Sequence, residues 1–297
     1  MDLNFVRLIA TLRLENDNVD RYVLFDLRPY FEEAFRQAAG CGGEGGSCDC
    51  SYHQAFSQPL SVDPAALKRY QKPSLPFAFS VSPLPEPPNR MATVELGLTL
   101  VGPAVNFVAT YVDALNGMLA SPDLHRRCAA SLMKVESAGC DGCRSLVFAP
   151  KEGVALDRLS SLSLQGLREA SVLAPDTVTL AIATPMLILS EGRSLREFSF
   201  SSFMRALFRR VSSMAYYYGT EEDIDYKWLA GQSREVECAH ADFRWVEWGR
   251  KLYGVVGTGT FRGDLTDFHP FLLAGEYLQV GKGAPFGHGR FMLRRNV

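Results

Sequence analysis

Apolar and polar positions alternate over residues 4–14, with Val6, Leu8, Ala10, Leu12 and Leu14 on one face and Arg7, Thr11 and Arg13 on the other. A period of two predicts a half-buried strand. Residues 30–39 change period: Phe31, Ala34, Phe35 and Ala38 form the apolar stripe of a helix, and Gly40 stops it. A Gly/Cys-rich loop follows. The proline-rich stretch 73–88 then allows at most an edge strand. Val94, Leu96, Leu98 and Leu100 alternate as a strand, and Gly102-Pro103 opens a helix that runs to Leu119. Alternating segments near 130–135 and 145–149 complete an order of β, α, irregular, β, α, β.

Residues 151–175 carry a weak helical pattern at best and read as a connection between domains. The pattern then starts again. Val178, Leu180 and Ile182 alternate, and Phe203, Leu207, Val211, Met214 and Tyr218 mark a long helix closed by Gly219. The acidic stretch 221–237 reads as a loop or insertion. Strands are predicted near 243–248 and 255–261. A helix capped by Thr266 or Asp267 runs through Leu278, and a last strand covers 290–294. This second half is βαββαβ, the ferredoxin-like (RRM-like) order, and the first half is a looser version. The expected class is α+β: two tandem ferredoxin-like domains, 1–150 and 176–297, joined by 151–175.

Composition narrows the classes without naming one. With 47% hydrophobic and 22% charged residues, the chain is neither disordered nor fibrous. No apolar run is long enough for a membrane span, and residues 1–14 read as a strand rather than a signal peptide, so the expected compartment is the cytoplasm. The net charge of −2 excludes a uniformly basic nucleic-acid binder. It hides a basic tail, however. From Arg244 onward eight basic residues face four acidic ones, so that segment suits a polyanion.

The most informative string joins the last helix to the last strand: Gly281-Lys282-Gly283-Ala284-Pro285-Phe286-Gly287-His288-Gly289-Arg290. Its glycines permit positive φ and close approach of a ligand, their N–H groups can form an anion-binding concavity, and Lys282 and Arg290 add full charges. A plain surface turn is the other reading. It is not a dinucleotide fingerprint, because no strand precedes it and no helix follows.

Together with Phe261-Arg262-Gly263-Asp264-Leu265 and Gly275-Glu276-Tyr277-Leu278-Gln279-Val280, this loop resembles the C-terminal domain of CRISPR-associated RNA-processing endoribonucleases. These are the "Cas-six" group of the repeat-associated mysterious protein (RAMP) superfamily. Thr184-Pro185-Met186, the segment from Phe203 through Arg209-Arg210, and Tyr217-Tyr218-Gly219 resemble that domain's opening strand and helix. Leu27-Arg28-Pro29, Pro76-Phe77 and Leu98-Thr99-Leu100-Val101-Gly102 resemble the family more loosely. Gln279 stands where many relatives would have a histidine, and the helix after Phe203 has none.

The resemblance implies cleavage of CRISPR repeat RNA by attack of a ribose 2′-hydroxyl, with no metal at the reacting phosphate. It also admits a non-cleaving RNA-holding subunit that assembles with effector-complex proteins. Two histidines are catalytic candidates, since imidazole exchanges protons near neutral pH. His53 follows the first helix, where relatives often place the catalytic imidazole, and His288 lies in the glycine loop. Gly281, Lys282, Gly283, Gly287, Gly289 and Arg290 are the expected RNA contacts. Arg209 and Arg210, off the apolar stripe of the long helix, join them or merely solvate the helix. His269 reads as a residue of a helix start, and His125 and His240 as solvated.

Seven cysteines without an export signal argue against a disulfide framework. Cys41, Cys48, Cys50 and His53 are compactly spaced and make a valid structural zinc set, to which Cys140 and Cys143 could add if the fold brings them close. Inert reduced thiols are the alternative. A zinc-bound His53 would not be the catalyst.

Overall fold

The computed structural model describes all residues except 17–18, 43–47, 71, 86–90, 172, 191, 250 and 295–297. Arg250 and Arg295 of the basic tail, and the end of the proline-rich stretch, therefore lie outside the described residues. The chain forms two units. The N-terminal unit is Asn4–Pro64 with Leu75–Leu162, and the C-terminal unit is Met1–Leu3, Ala65–Ser74 and Ser163–Val297.

The first part of the chain carries β1 (Asn4–Leu14), α1 (Arg28–Ala38), α2 (Ser51–Phe56) and α3 (Pro64–Tyr70). Next come β2 (Phe77–Ser80), β3 (Thr93–Val101), α4 (Val108–Leu119), α5 (Pro122–Arg127), β4 (Ala130–Ala138), β5 (Arg144–Ala149), β6 (Gly153–Val154) and β7 (Ser161–Ser163). The sheet runs β2-β3-β1-β4-β5-β6, with β7 also on β1. Its first four strands have the ferredoxin-like order, and the β5–β6 ribbon extends the β4 edge. β1 is central and antiparallel to both neighbours, Leu8 facing Leu98 on one side and Ser137 on the other. That position explains why β1 is buried on both faces over most of its length.

α1 and α4 supply Phe31, Phe35 and Tyr111 to an aromatic cluster with Phe77 and Phe79. The ring centroids of Phe31 and Phe79 are 4.8 Å apart, and those of Phe35 and Tyr111 4.6 Å. Each such buried phenyl ring contributes about 1.5–3 kcal/mol from water exclusion. Among its described residues the proline-rich stretch yields the four-residue edge strand β2, which pairs with β3.

Residues 151–175 hold more structure than a bare connection: β6, β7 and then α6 (Leu164–Ala170), whose N-cap Ser163 accepts from the Gly166 N–H. Two- and three-residue strands are too short to display a period.

The C-terminal unit continues with β8 (Thr177–Met186), β9 (Leu189–Ser190), β10 (Arg193–Ser194), α7 (Phe200–Tyr218) and α8 (Tyr226–Gln232). β11 (Glu237–Gly249), β12 (Leu252–Arg262), α9 (His269–Leu278) and β13 (Phe291–Arg294) complete it. Its sheet order is β11-β12-β8-β13, again the ferredoxin-like order. The protein is thus α+β with two tandem ferredoxin-like folds, as the two repeats of βαββαβ require. Phe203 of α7 and Phe291 of β13 meet edge to face at 5.1 Å in its core. The acidic stretch is more than a loop, because α8 forms within it behind Asp225. That carboxylate accepts from the Lys227 and Trp228 N–H groups. Among the described residues no helix is long and apolar enough to cross a membrane.

Candidate functional site

The glycine loop runs from the end of α9 to β13 and is folded against the end of β8. Gly281, Gly283, Gly287 and Gly289 all have positive φ, between 66° and 96°. At Gly289 the requirement is absolute: a Cβ there would lie 1.8 Å from the Val280 carbonyl oxygen. The buried Thr184 pins both limbs. Its Oγ1 donates to the Gly287 carbonyl and accepts from the Arg290 N–H, each at 2.8 Å.

The loop is not the open nest of free amides that its glycines suggest. The Lys282 N–H donates to Leu187 at 2.8 Å, the Gly289 N–H to Pro185 at 3.1 Å, and the Phe286 N–H to Gly283 at 2.9 Å. Those of Ala284, Gly287 and His288 are also engaged within the loop. A compact loop must satisfy its own backbone, so charge for an anion comes mainly from side chains. Lys282 is exposed, Arg290 is half-buried, and the half-buried His288 ring packs against Gly283.

On α7, Arg205 and Arg209 are exposed. With Lys68, Arg69 and Lys227 they line a cleft of about 540 Å³ whose acidic member is Asp225. Lys68 and Arg69 were not legible as partners of α7. The segment 65–74 docks there because Tyr70 donates to Glu221 at 2.7 Å and the Tyr218 hydroxyl donates to the Ser74 carbonyl at 2.5 Å. Arg210 departs from the expected outward face. Its Nε donates to the Leu278 carbonyl at 3.4 Å, closing the end of α9, while its Nη2 is buried without a hydrogen-bond partner among the described residues. Burial brings this guanidinium down to about 10, against the opposing pull of Tyr218. Gln279 is fully buried at the α9 C-terminus with φ 59°. His125 and His240 are exposed, and His269 Nε2 lies 3.2 Å from the Ala174 carbonyl.

The N-terminal unit holds a second cluster. α1 ends in a Schellman turn: Gly40, with φ 59°, donates to Gln37, and Cys41 donates to Arg36. This turn brings Cys41 to the cluster, where it is buried. Cys50 is the N-cap of α2, and His53 stands in its first turn. His53 Nδ1 lies 3.1 Å from Cys48 Sγ, 3.2 Å from Cys50 Sγ and 3.7 Å from Cys41 Sγ. Burial works against ionisation of Cys50, but hydrogen bonds from Cys48, His53 and Cys41 outweigh it and hold the thiol low, at about 6. Cys48 is pushed up to about 11 by its bond to Cys50 and by burial. The four donor atoms lie within 4.8 Å of one another, a set that can hold a metal ion. Cys140 and Cys143 do not join it. Both are exposed on the β4–β5 turn, where Asp141 accepts from the Cys143 N–H.

Two ferredoxin-like folds, the second closed by a pinned glycine loop flanked by lysine and arginine, define a protein of the tandem ferredoxin-like class. Two family models match: an N-terminal domain model over residues 3–158, and CRISPR-associated endoribonuclease Cas6 over residues 180–291. Over residues 180–291, therefore, the chain is similar to the Cas6 family. Among solved structures it is similar to a Cas6 product complex, with TM-score 0.58 and 16% identity over 98% of this chain and 100% of that one. It is also similar to Thermus thermophilus Cas6, with TM-score 0.54 and 16% identity over 98% and 99% of the two chains. A partial Cas6-RT-Cas1–Cas2 complex gives TM-score 0.60 and 14% identity over 99% of this chain but 46% of that one. At such identities the likeness establishes the fold. None of the curated proteins matches the sequence.

Proposed function

We propose that this protein is a cytoplasmic endoribonuclease that binds CRISPR repeat RNA and cuts the precursor within the repeat. The observation that carries the reading is the glycine loop held by Thr184, with His288 between Lys282 and Arg290, in a chain similar to the Cas6 family over residues 180–291. In this reading the RNA backbone passes along Gly281, Lys282, Gly283, Gly287, Gly289 and Arg290, whose positive-φ glycines set the compact loop that presents Lys282 and Arg290. Arg209 and its cleft carry a further stretch of phosphate, and Arg210 holds the end of α9 behind the loop.

The 2′-oxygen of the ribose attacks the adjacent phosphorus, and the bond from phosphorus to the 5′-oxygen breaks. One product ends in a 2′,3′-cyclic phosphate and the other in a 5′-hydroxyl. A proton must leave the 2′-hydroxyl and another must reach the departing 5′-oxygen, and His288 is the imidazole for this exchange. Lys282 and Arg290 offset the charge that develops on the phosphoryl oxygens. No metal acts at the phosphate, and a metal in the cysteine cluster would be structural. His53 is not assigned to catalysis, because its Nδ1 faces three sulfurs.

His288→Ala is expected to slow cleavage by about 10²–10⁴-fold while RNA affinity stays near wild type. An unchanged rate would remove His288 from the mechanism. Lys282→Ala combined with Arg290→Ala should weaken binding and reduce the salt slope by about 1.4, for two lost contacts to a single strand. An unchanged slope would place the RNA elsewhere. A second reading has support in the buried Gln279 and in α7, which has no histidine. Under it the protein is a non-cleaving RNA-holding subunit that works with effector-complex proteins, and wild-type protein would bind repeat RNA tightly without cutting it.

A further inference from the structure

We propose that Cys41, Cys48, Cys50 and His53 bind one structural zinc ion, through three Sγ atoms and Nδ1. The geometry carries this without reference to the RNA chemistry. A tetrahedral zinc with Zn–S of about 2.3 Å and Zn–N of about 2.05 Å places its sulfurs about 3.8 Å apart and sulfur and nitrogen about 3.6 Å apart. Here Cys41 and Cys48 Sγ are 3.6 Å apart, Cys48 and Cys50 Sγ 3.0 Å, and the three sulfur-to-Nδ1 distances run from 3.1 to 3.7 Å. All six separations are at most 4.8 Å. The four donors are thus mutually close, and closing on an ion needs the Cys48–Cys50 pair to open by about 0.8 Å and the sulfur-to-Nδ1 distances to change by up to about 0.5 Å. None of the sulfur pairs is at the roughly 2.05 Å of a disulfide.

Three thiolates and an imidazole are a soft donor set that selects zinc over magnesium or calcium. Because the protein supplies all four positions, no coordination site is left for substrate, and the ion is structural rather than catalytic.

The local structure delivers these four side chains from three directions. The Schellman turn after α1 brings in Cys41, Cys48 stands two residues before the N-cap of α2, and the start of α2 presents Cys50 and His53 together. α2 has six residues, too few to be stable as an isolated helix. It is tied to the unit at one end by Phe56, which packs on Phe35 and Phe77 with centroids 5.5 Å away in each case. Zinc ties the other end to the terminus of α1. With Nδ1 on the metal, His53 is fixed as a ligand.

The test is metal analysis of the full-length protein, purified with reductant and dialysed against zinc and then against metal-free buffer. One zinc per chain is expected in the wild type, in Cys140→Ser and in His53→Cys, which keeps four donors. Less than a tenth of that is expected in Cys48→Ser and His53→Ala. Cobalt loading of the wild type should give a visible ligand-field band with thiolate charge transfer, and a lower melting temperature should follow zinc removal. Wild-type protein that holds no zinc and gives no cobalt band would overturn the proposal. So would a zinc-free protein lighter by two hydrogens, which would mean that these cysteines form a disulfide instead. Both readouts are independent of RNA cleavage, so a failed zinc site leaves the nuclease reading untouched, and the converse holds.

Discussion

Thr184 is a single hydroxyl that serves two loop groups, and its loss is easy to predict. Thr184→Val keeps the shape of the side chain and leaves the Gly287 carbonyl and the Arg290 N–H without their 2.8 Å partner. Leaving such buried groups unsatisfied costs about 1–3 kcal/mol, so a denaturation midpoint should fall accordingly, and an unchanged midpoint would contradict the assigned role. The residue types that carry proposed chemistry, His288, Lys282 and Arg290, were legible because they crowd into one glycine-rich string. Thr184 entered only as part of the Thr184-Pro185-Met186 resemblance, and its clamping role was not legible, since Thr177 and Thr179 on the same strand look no different in sequence. Arg210 read as an outward-facing RNA contact or solvated residue for a related reason. Helical periodicity tells which face a residue occupies but not that the end of α9 packs over that face. The cysteine spacing exposed the metal cluster, and only the fold showed that Cys140 and Cys143 lie outside it.

At the scale of elements, α9 and the loop behind it form one device. Gly289→Ala places a Cβ against the Val280 carbonyl and forces a residue with φ 66° out of its preferred backbone region. Strain of this kind costs about 1–3 kcal/mol. The variant should therefore melt at lower temperature and bind repeat RNA more weakly, and wild-type behaviour in both assays would show that the loop tolerates rearrangement. The start of α9 responds to pH. Burial lowers the His269 pKa below its ordinary 6.5, though its bond to Ala174 opposes the shift. As pH falls, the unfolded chain takes up this proton before the folded one does. The stability linked to His269 is therefore full above about 6.5 and is lost as pH drops through the folded pKa. His269→Gln should flatten that part of a stability–pH curve; an identical curve would mean that other groups control it. Long elements with a sustained period, such as β1, α7 and β12, were readable from the sequence. α8 was missed although Asp225 offered a capping signal, because the acidic run around it has no apolar face long enough to register. β6 and β7 are too short for a period to exist.

For the molecule as a whole, two copies of βαββαβ predicted two sheets with the ferredoxin-like order, and both sheets have it. The second copy is the clearer in sequence because its alternation is less interrupted. In the first, a cysteine-rich excursion and a proline-rich stretch separate α1 from its edge strand. The assignment of residues 65–74 to the C-terminal unit depends on tyrosine contacts between segments far apart in the chain, which no local pattern encodes. The central proposal is that this chain, similar to Cas6 over residues 180–291, cuts repeat RNA through a ribose 2′-hydroxyl. The most direct measurement compares an unmodified repeat RNA with one carrying a single 2′-deoxy sugar at the cleaved position, using wild-type protein without added metal. The account predicts equal affinity for both RNAs and cleavage of the unmodified one alone, with 5′-hydroxyl and 2′,3′-cyclic phosphate ends. Cleavage of the deoxy RNA, or tight binding of the unmodified repeat with no cleavage, would contradict it.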